Sequence, residues 1–314
     1  MRFTMLGNSE FILHCTQALL DIGANVCSVI AEPEGFRPNN ALDLRSFARS
    51  NEIPYKELED INSDESISFL SALNSDFIFC EWPKILGKEV LETQKYHCIG
   101  THPTDLPHNR GRHPLHWSIC LNISETKLSF FIMDKGVDTG DILLQIPFSI
   151  NPDENISEVE NKINNIAYEG TQKLYNMLLS NVVYHGEKQN HSLANYWRKR
   201  TPHDLIIDLR MSANCINRTV RSFTPPYTCA KLIFNNYLLK IVNASSIATD
   251  MSFEQLQRIE PGKIISIDNN KAIQVKVDDG IISLECLDKL PDELLIASYI
   301  HPPSKYFADY NKID

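Results

Sequence analysis

The first half of the chain alternates short apolar runs with amphipathic stretches, and this alternation limits the fold more than any other feature. Runs of strand length occur at RFTMLG, NVCSVIAEP, DFIFCEW and HCIGTH, and stretches with helical spacing, such as SEFILHCTQALLDIG, separate them. Strands that alternate with helices form a parallel sheet with helices on both faces. The sequence therefore predicts an α/β, Rossmann-like domain over residues 1–185.

The second half changes character after a long helical pattern and a polar stretch. Short strand-like runs follow, joined by turn signals at Asp268-Asn269-Asn270 and Asp278-Asp279-Gly280, and SANCINRTVRSF supplies one embedded helix. Many short strands with turns and one helix are typical of a small β-barrel of the OB type. We expect a linker over residues 186–196 and an OB-like β-barrel domain over residues 197–314.

Composition excludes several classes of protein. The formal net charge of −10 argues against a surface that docks broadly on nucleic acid. The N-terminal apolar run is too short for a signal peptide, and no apolar segment reaches membrane-spanning length. The eight cysteines are scattered without a C-x-x-C motif, as in a reduced cytosolic protein. We expect a cytoplasmic protein with no membrane partner.

A stretch rich in histidine, CIGTHPTDLPHNRGRHPLHW, carries the candidate chemistry. His97, His102, His108, His113 and His116 lie close together in sequence, which raises the question of a metal site. No pair has the H-E-x-x-H arrangement of a helical zinc site, and three prolines keep most of the histidines in separate turns. We therefore expect no metal.

His102 ends a predicted parallel strand, at the edge where open α/β sheets place ligands and catalysis. A histidine there can titrate near neutral pH and move protons, or it can satisfy loop backbone groups; its position leaves both open. Asp138 lies 36 residues further on, in the turn Val137-Asp138-Thr139-Gly140. A carboxylate can orient a histidine and stabilise its protonated form, although aspartate is also a common turn residue.

Three motifs together resemble the folate-dependent formyltransferases: THPTDLPHNRGRHPLHWSI, ETKLSFFIMDKGVDTGDIL, and RKRTPHDLIIDLR with NRTVRSFTPPY. The resemblance covers nearly the whole chain and is closest in layout to methionyl-tRNA formyltransferase and the nucleotide-sugar N-formyltransferases. It implies transfer of a formyl group from N10-formyltetrahydrofolate to an amine by an Asn–His–Asp trio. His102 and Asp138 match the trio, but Gly100 stands where the family has the asparagine.

That departure removes a hydrogen-bond donor for the formyl oxygen, and such a donor is worth ~3 kcal/mol. Asn109, a backbone N–H or protonated His102 are the candidate replacements. The resemblance also implies a folate cleft between Cys80–Leu86 and Val137–Asp141, and its predicted cofactor-binding residues are Trp82, Ile85, Leu86, Val137 and Asp141. Ordinary packing is an equal interpretation for Trp82.

The acceptor amine is the least determined feature. Arg110 and Arg112 flank Gly111 beside the proposed site and suit the diphosphate of a nucleotide sugar. Methionyl-tRNA is the alternative, since basic residues open the C-terminal domain, although a solvated face or pairing with Asp204 and Asp208 is the favoured explanation of these residues. The second alternative is a non-catalytic folate-binding relative with Gly100 in place of asparagine. The C-terminal domain is expected either to mediate a homodimer or to cover the acceptor.

Overall fold

The computed structural model describes residues 1–37, 41–268 and 271–305. They form two compact units. The first comprises Met1–Pro114, Glu125–Ser149 and Glu160–Trp197, and the second comprises Leu115–Ser124, Ile150–Val159 and the chain from Arg198 onward. Residues 186–196, predicted as a linker, lie within the first unit, where Gln189 is buried. The domain boundaries at residues 185 and 197 stay predictions.

The first unit is built on a seven-stranded sheet. Its strands are β1 (Arg2–Leu6), β2 (Asn25–Ala31), β3 (Tyr55–Glu57), β4 (Phe77–Cys80), β5 (His97–His102), β7 (Glu125–Ile132) and β8 (Ile142–Ser149), and a separate pair is formed by β6 (Arg110–Gly111) and β9 (Tyr196–Trp197). The order in the sheet is β3-β2-β1-β4-β5-β7-β8. Strands β1 to β5 are parallel, and β7 and β8 are antiparallel to their neighbours.

Helices cover both faces of this sheet. They are α1 (Glu10–Asp21), α2 (Arg45–Ser50), α3 (Asp64–Ala72), α4 (Lys88–Leu91) and α6 (Ile156–Ser180, from Glu160 in this unit). Leu6 on one face of β1 belongs to the apolar cluster that contains Leu70 of α3 and Val90 of α4. Phe3 on the other face contacts Tyr175 of α6, with ring centroids 6.0 Å apart. Alternation along the strand thus serves two helical layers.

The second unit contains a five-stranded antiparallel sheet. Its elements are α5 (Pro114–Cys120, from Leu115 in this unit), α7 (Ala213–Arg221), β10 (Ala230–Phe234), β11 (Tyr237–Ile247), α8 (Phe253–Gln257), β12 (Ile264–Asp268), β13 (Ala272–Lys276), β14 (Ile281–Cys286) and α9 (Asp292–Leu295). The strand order is β10-β11-β14-β13-β12. Ile216 and Val220 of α7 share one apolar core with the sheet. This architecture confirms the predicted fold class of a Rossmann-like domain followed by a small β domain.

The two turn signals of the second unit have different outcomes. The turn at Asp278-Asp279-Gly280 joins β13 to β14, and Val277 donates a backbone hydrogen bond to Gly280 across it. The signal at Asp268-Asn269-Asn270 falls partly on residues 269–270, which lie outside the described residues. All eight cysteines are free thiols.

Two features of the first unit differ from the sequence prediction. The sheet is not wholly parallel, because β7 runs antiparallel to both of its neighbours, β5 and the edge strand β8. The patterns also assign no element to residues 55–72, where the structure has β3 and α3. Strand β3 is only three residues long and half-exposed, too short to show a period.

The carboxyl ends of the parallel strands form the edge of the sheet where a ligand-binding site is expected. Strand order reverses between β1 and β4, since β2 and β3 lie on one side of β1 while β4 and β5 lie on the other. Ligands of open α/β sheets bind beside the carboxyl ends of strands at such a reversal. Residues 7–9, 32, 81–86 and 102 follow or end these strands and line this edge. Among the described residues, no helix is long and apolar enough to cross a membrane.

Candidate active site

His102 is the last residue of β5 and is 4% exposed. Its Nε2 lies 2.8 Å from the backbone oxygen of Asn109. A carbonyl oxygen only accepts hydrogen bonds, so this contact assigns a proton to Nε2. The other nitrogen, Nδ1, lies 3.6 Å from Oδ2 of Asp138. The imidazole is therefore held by a loop on one side and faces a carboxylate on the other.

Asp138 lies in the β7–β8 hairpin loop with a left-handed φ of 55°. Its Oδ2 accepts a hydrogen bond of 2.8 Å from the backbone N–H of Gly111. The 3.6 Å separation from His102 Nδ1 is longer than a hydrogen bond, so Asp138 is anchored by Gly111 and presents its charge to the histidine. The two residues singled out from the sequence are thus brought together by the ends of β5 and β7.

Gly100 lies in β5 two residues before His102, and the space beside it is filled. A Cβ built on Gly100 meets Cγ of Met133 at 2.8 Å and Cζ of Phe131 at 2.9 Å. Phe131 is buried on the neighbouring strand β7 and pairs with Gly100 in register. The side chains of Phe131 and Met133 therefore occupy the volume that a side chain at position 100 needs.

Asn109 is the side chain amide nearest to His102 along the loop. Its Oδ1 accepts a 3.0 Å hydrogen bond from Nδ2 of Asn195, and its backbone N–H donates to Oδ1 of Asn195 at 2.8 Å. Because the amide oxygen is used in this way, the Nδ2 group is the donor that Asn109 offers. Asn109 has a left-handed φ of 61°, which asparagine tolerates better than most residues.

Arg110 is 1% exposed, and the structure gives its guanidinium protein partners rather than a ligand-facing position. It donates to Oε1 of Gln189 at 2.6 and 3.2 Å, to the Tyr196 hydroxyl at 2.8 Å and to Nδ1 of His191 at 3.1 Å. A diphosphate contact requires these bonds to break. The substrate-binding prediction for Arg110 therefore has no support in the geometry, while the exposed Arg112 keeps the role predicted for it.

Gln189 joins the two loops that carry the site. Its Oε1 accepts from Arg110, and its Nε2 donates to the backbone oxygens of Asp138 at 2.9 Å and Gly140 at 2.7 Å. Strand β9 holds the same loop, because it pairs with β6. The Trp197 oxygen would lie 2.3 Å from a Cβ built on Gly111, so only glycine fits at that position. Sequence reasoning missed Gln189, since a polar stretch with no period hides a single buried glutamine.

The residues predicted for a folate cleft lie at the same edge in different environments. Trp82 packs against the apolar cluster of the sheet, and its buried Nε1 has no hydrogen-bond partner among the described residues. Leu86 is buried in that cluster, whereas Ile85 is 76% exposed and Val137 is exposed as well. Asp141 is half-buried, and its backbone oxygen accepts from Ile132. The unpaired indole N–H and the exposed apolar side chains suit a planar heterocycle.

The other histidines of the stretch are dispersed by the fold. His97 Nε2 bonds to the Tyr184 oxygen at 3.0 Å, and His108 is exposed on its loop. In the second unit, His116 makes an edge-to-face contact with Phe223, with ring centroids 4.3 Å apart. Over residues 1–37, 41–268 and 271–305, no three His, Cys, Asp or Glu side chains are grouped to hold a metal ion.

One acidic residue at this edge was not singled out from the sequence. Glu81 follows β4 and accepts a hydrogen bond from the Ser9 hydroxyl, which also caps α1. Although the residue as a whole is exposed, the surrounding protein desolvates its carboxyl group and raises its pKa to about 7. The nearby charge of Glu160 acts in the same direction, and the Ser9 bond opposes both.

Comparisons with known proteins agree with the geometry of both units. The family model described as Formyl transferase matches residues 3–174, and the one described as Formyl transferase, C-terminal domain matches residues 199–291. A methionyl-tRNA formyltransferase of Geotalea uraniireducens (strain Rf4) is 28% identical over 290 residues, which are 91% of this chain and 89% of that protein.

Solved structures share the fold over most of the chain. The N-formyltransferase from Helicobacter canadensis, in complex with folinic acid and dTDP-3-aminofucose, is similar with a TM-score of 0.67 and 18% identity over 90% of this chain and 98% of that chain. The methionyl-tRNA formyltransferase from Clostridium thermocellum is similar with a TM-score of 0.57 and 20% identity over 79% of this chain and 94% of that chain.

The packing around Gly100 predicts that this position rejects a side chain. Gly100→Asn is expected to lower the free energy of unfolding by about 1–3 kcal/mol, the usual effect of overpacking a core. Chemical denaturation measures this change. Gly35→Asn is the matched control, because no atom lies within 4 Å of a Cβ there. Equal stabilities of the two variants would contradict the filled pocket.

The bonds of Gln189 predict a second stability effect. Gln189→Leu removes one of the three hydrogen-bond partners of the buried Arg110 guanidinium and the donor to two carbonyls, so the free energy of unfolding is expected to fall by about 1–3 kcal/mol or more. Gln17→Leu removes a solvent-exposed bond to Asp21 and is expected to change stability by less than about 0.5 kcal/mol. Thermal and chemical unfolding of both variants decide the matter.

Proposed function

Since the chain belongs to the formyltransferase family, we propose that this enzyme transfers a formyl group from N10-formyltetrahydrofolate to the amine of a nucleotide-linked amino sugar. Formyl transfer follows from the family; the amino sugar and the roles of individual residues are the proposal. The observation that supports formyl transfer by this chain most directly is that His102 and Asp138 lie side by side at the carboxyl edge of the sheet.

His102 relays the proton that the amine loses and N10 gains. The amine nitrogen attacks the formyl carbon, the bond from that carbon to N10 breaks, and one proton passes from the amine to N10. Nε2 of His102 is occupied by its bond to the Asn109 oxygen, so Nδ1 is the nitrogen that accepts this proton. The Asp138 carboxylate, 3.6 Å away, stabilises the imidazolium that forms.

Asn109 is the proposed donor to the formyl oxygen as that oxygen gains negative charge. Position 100 cannot supply an amide, because Phe131 and Met133 fill the space beside Gly100. The Nδ2 group of Asn109 is oriented by Asn195, and the same residue accepts from His102 through its backbone oxygen. The position of the proposed donor is therefore tied to that of the proposed base through the Asn109 carbonyl.

Folate supplies the activated formyl group, and the residues at the β4 and β7–β8 loops fit it. Trp82 offers its unpaired buried indole N–H, and Ile85 and Val137 offer exposed apolar surface. Leu86 supports this loop from the core, and Asp141 lies at the end of the hairpin loop. Folate derivatives named with similar solved structures support the same cosubstrate class.

The basic residues that open the second unit bear on the choice of acceptor. Arg198 forms a bidentate pair with Asp204 and holds the pKa of that carboxyl well below its ordinary value, and Arg210 pairs with Asp208 at 2.5 Å. Arg200 is buried, and its guanidinium lies 4.2 Å from the ring centroid of Phe223. Cations that are already paired or buried are poor ligands for an RNA backbone.

The segment after β2 likewise offers few cations for an RNA backbone. Arg37 contacts Glu57 at 2.7 Å, and Arg45 contacts Asp43 at 2.8 Å, so both guanidinium groups are neutralised locally. A nucleotide sugar needs only a few cations and hydrogen bonds, so this charge pattern favours it. Methionyl-tRNA is the second candidate, because curated relatives at 25–28% identity over most of the chain are methionyl-tRNA formyltransferases.

His102→Asn and Asp138→Asn test the proposed roles. Loss of a general base lowers turnover by ~100-fold or more, so His102→Asn is expected to reduce kcat to that extent. Asp138→Asn removes the charge that faces Nδ1 and is expected to lower kcat as well. His108→Asn, on an exposed residue of the same loop, serves as the control and keeps its turnover. Undiminished turnover of the His102 variant rules out the assignment.

An acceptor panel tests the substrate. The protein is incubated with N10-formyltetrahydrofolate and, separately, UDP-amino sugars, dTDP-amino sugars or methionyl-tRNA, and release of tetrahydrofolate is followed. We expect release with nucleotide sugars alone. Release with methionyl-tRNA alone would overturn the sugar proposal in favour of the tRNA. Tight folate binding without any release would instead indicate a non-catalytic relative.

A further inference from the structure

A buried carboxylate at the end of β2 has no evident structural use. Glu32 is 0% exposed, and neither carboxylate oxygen has a hydrogen-bond partner among the described residues. Lys84 Nζ lies 3.3 Å from Oε1 as an ion-pair neighbour, without hydrogen-bond geometry. Buried charges are normally both paired and hydrogen-bonded, so two carboxylate oxygens without a donor indicate that a ligand supplies the missing hydrogen bonds.

A second unpaired polar group lies at the end of the adjacent strand. Asn8 follows β1, is buried, and its Nδ2 has no hydrogen-bond partner among the described residues. Leu6 pairs with Ile30, and the Gly7 N–H bonds to the Ile30 oxygen at 2.9 Å. Asn8 lies two residues after Leu6, and Glu32 lies two residues after its partner Ile30, so the two side chains follow neighbouring strands at the same level. The buried Nδ2 donor of Asn8 and the two buried carboxylate oxygens of Glu32 do not bond to each other.

Their place in the fold indicates the class of ligand. The strand order reverses between β1 and β4, beside Asn8, and α1 begins directly after the loop. In doubly wound sheets a nucleotide lies across this reversal, and an acidic residue at the end of β2 accepts hydrogen bonds from the ribose hydroxyls. Glu32 occupies that position. A carboxylate with two free oxygens matches a vicinal diol, which donates two hydrogen bonds side by side.

We propose that Glu32 accepts the ribose 2′- and 3′-hydroxyls of the acceptor nucleotide, so that this chain selects ribonucleotide-linked over 2′-deoxyribonucleotide-linked amino sugars. The inference rests on the proposed function, because it concerns the nucleotide of that acceptor. On this proposal the preferred nucleotide of this chain differs from that of the similar structure in complex with dTDP-3-aminofucose, because dTDP lacks the 2′-hydroxyl.

The groups that cover Glu32 can be displaced. Lys84 has a half-exposed side chain, and its ammonium lies 5.5 Å from the ring centroid of Phe36, which is also exposed. A ligand reaches Glu32 when the Lys84 side chain swings away, and two charge-assisted hydrogen bonds then replace the ion-pair contact. The Glu81 carboxyl at the start of α1 does not oppose an anionic ligand in its neutral form, since its pKa is about 7.

Calorimetry on the unmodified full chain provides the first test. UDP and dUDP differ only in the 2′-hydroxyl, and a hydrogen bond to a charged group corresponds to at least about a tenfold change in affinity. We therefore expect dUDP to bind at least about tenfold more weakly than UDP. Equal affinities overturn the proposal, and so does failure of both nucleotides to bind at millimolar concentration.

A variant locates the discrimination. Glu32→Gln is expected to weaken UDP binding by about tenfold and to remove most of the difference between UDP and dUDP. Glu34→Gln, on an exposed carboxylate two residues away, is the matched control and is expected to preserve both affinities. A UDP preference that survives Glu32→Gln unchanged overturns the role of Glu32. If this variant does not fold, the comparison of UDP with dUDP on the unmodified chain decides.

Two further outcomes separate this inference from the function on which it rests. Formyl transfer to a dTDP-amino sugar as fast as to its UDP counterpart supports the function and overturns the ribose selection. A UDP preference without formyl transfer to any sugar supports the ribose site and overturns the function. Binding of dGDP as tightly as GDP, and more tightly than UDP, assigns Glu32 to a guanine edge and overturns the ribose proposal.

Discussion

The buried guanidinium of Arg110 is the constraint on which the arrangement of the site depends. A charge that is 1% exposed has lost its water, and the protein must supply hydrogen-bond acceptors in its place. Gln189, Tyr196 and His191 do so, and all three belong to one segment that follows α6. The requirement of a single cation therefore packs this segment against the histidine loop.

The hydrogen bonds around Arg110 also constrain Asp138, one of the two proposed reacting groups. Gln189 uses its amide N–H groups to hold the carbonyls of Asp138 and Gly140, and Gly111, next to Arg110, donates its N–H to the Asp138 carboxylate. Asp138 is therefore fixed from its backbone and from its side chain. A catalytic pair needs this rigidity, because a proton acceptor and its orienting charge work only within a narrow range of distances.

Gly100 shows how a missing side chain reorganises a site. Gly100 leaves no open space beside it, because Phe131 and Met133 occupy the volume that a side chain there needs. The proposed donor to the formyl oxygen therefore lies beyond the histidine, at Asn109, whose backbone carbonyl bonds to His102. Near the start of the second unit, most arginines are also held by the protein, either in ion pairs with nearby acids or against an aromatic ring in the core.

The sequence by itself determined the architecture and the choice of His102 and Asp138 as the proposed reacting pair. Its alternation of apolar runs and helical periods predicted the layered sheet, because this signal is local and periodic, and the resemblance of the motifs around His102 and Asp138 to those of formyltransferases led to the proposed pair. Only the tertiary structure decided the rest. Gln189 in a polar stretch, Glu32 after β2 and the filled space at Gly100 carry no local signal, since burial, unpaired acceptors and steric exclusion arise only when distant segments pack together. For the same reason Arg110, which the sequence suggests as a phosphate ligand, is a packed cation in the folded chain.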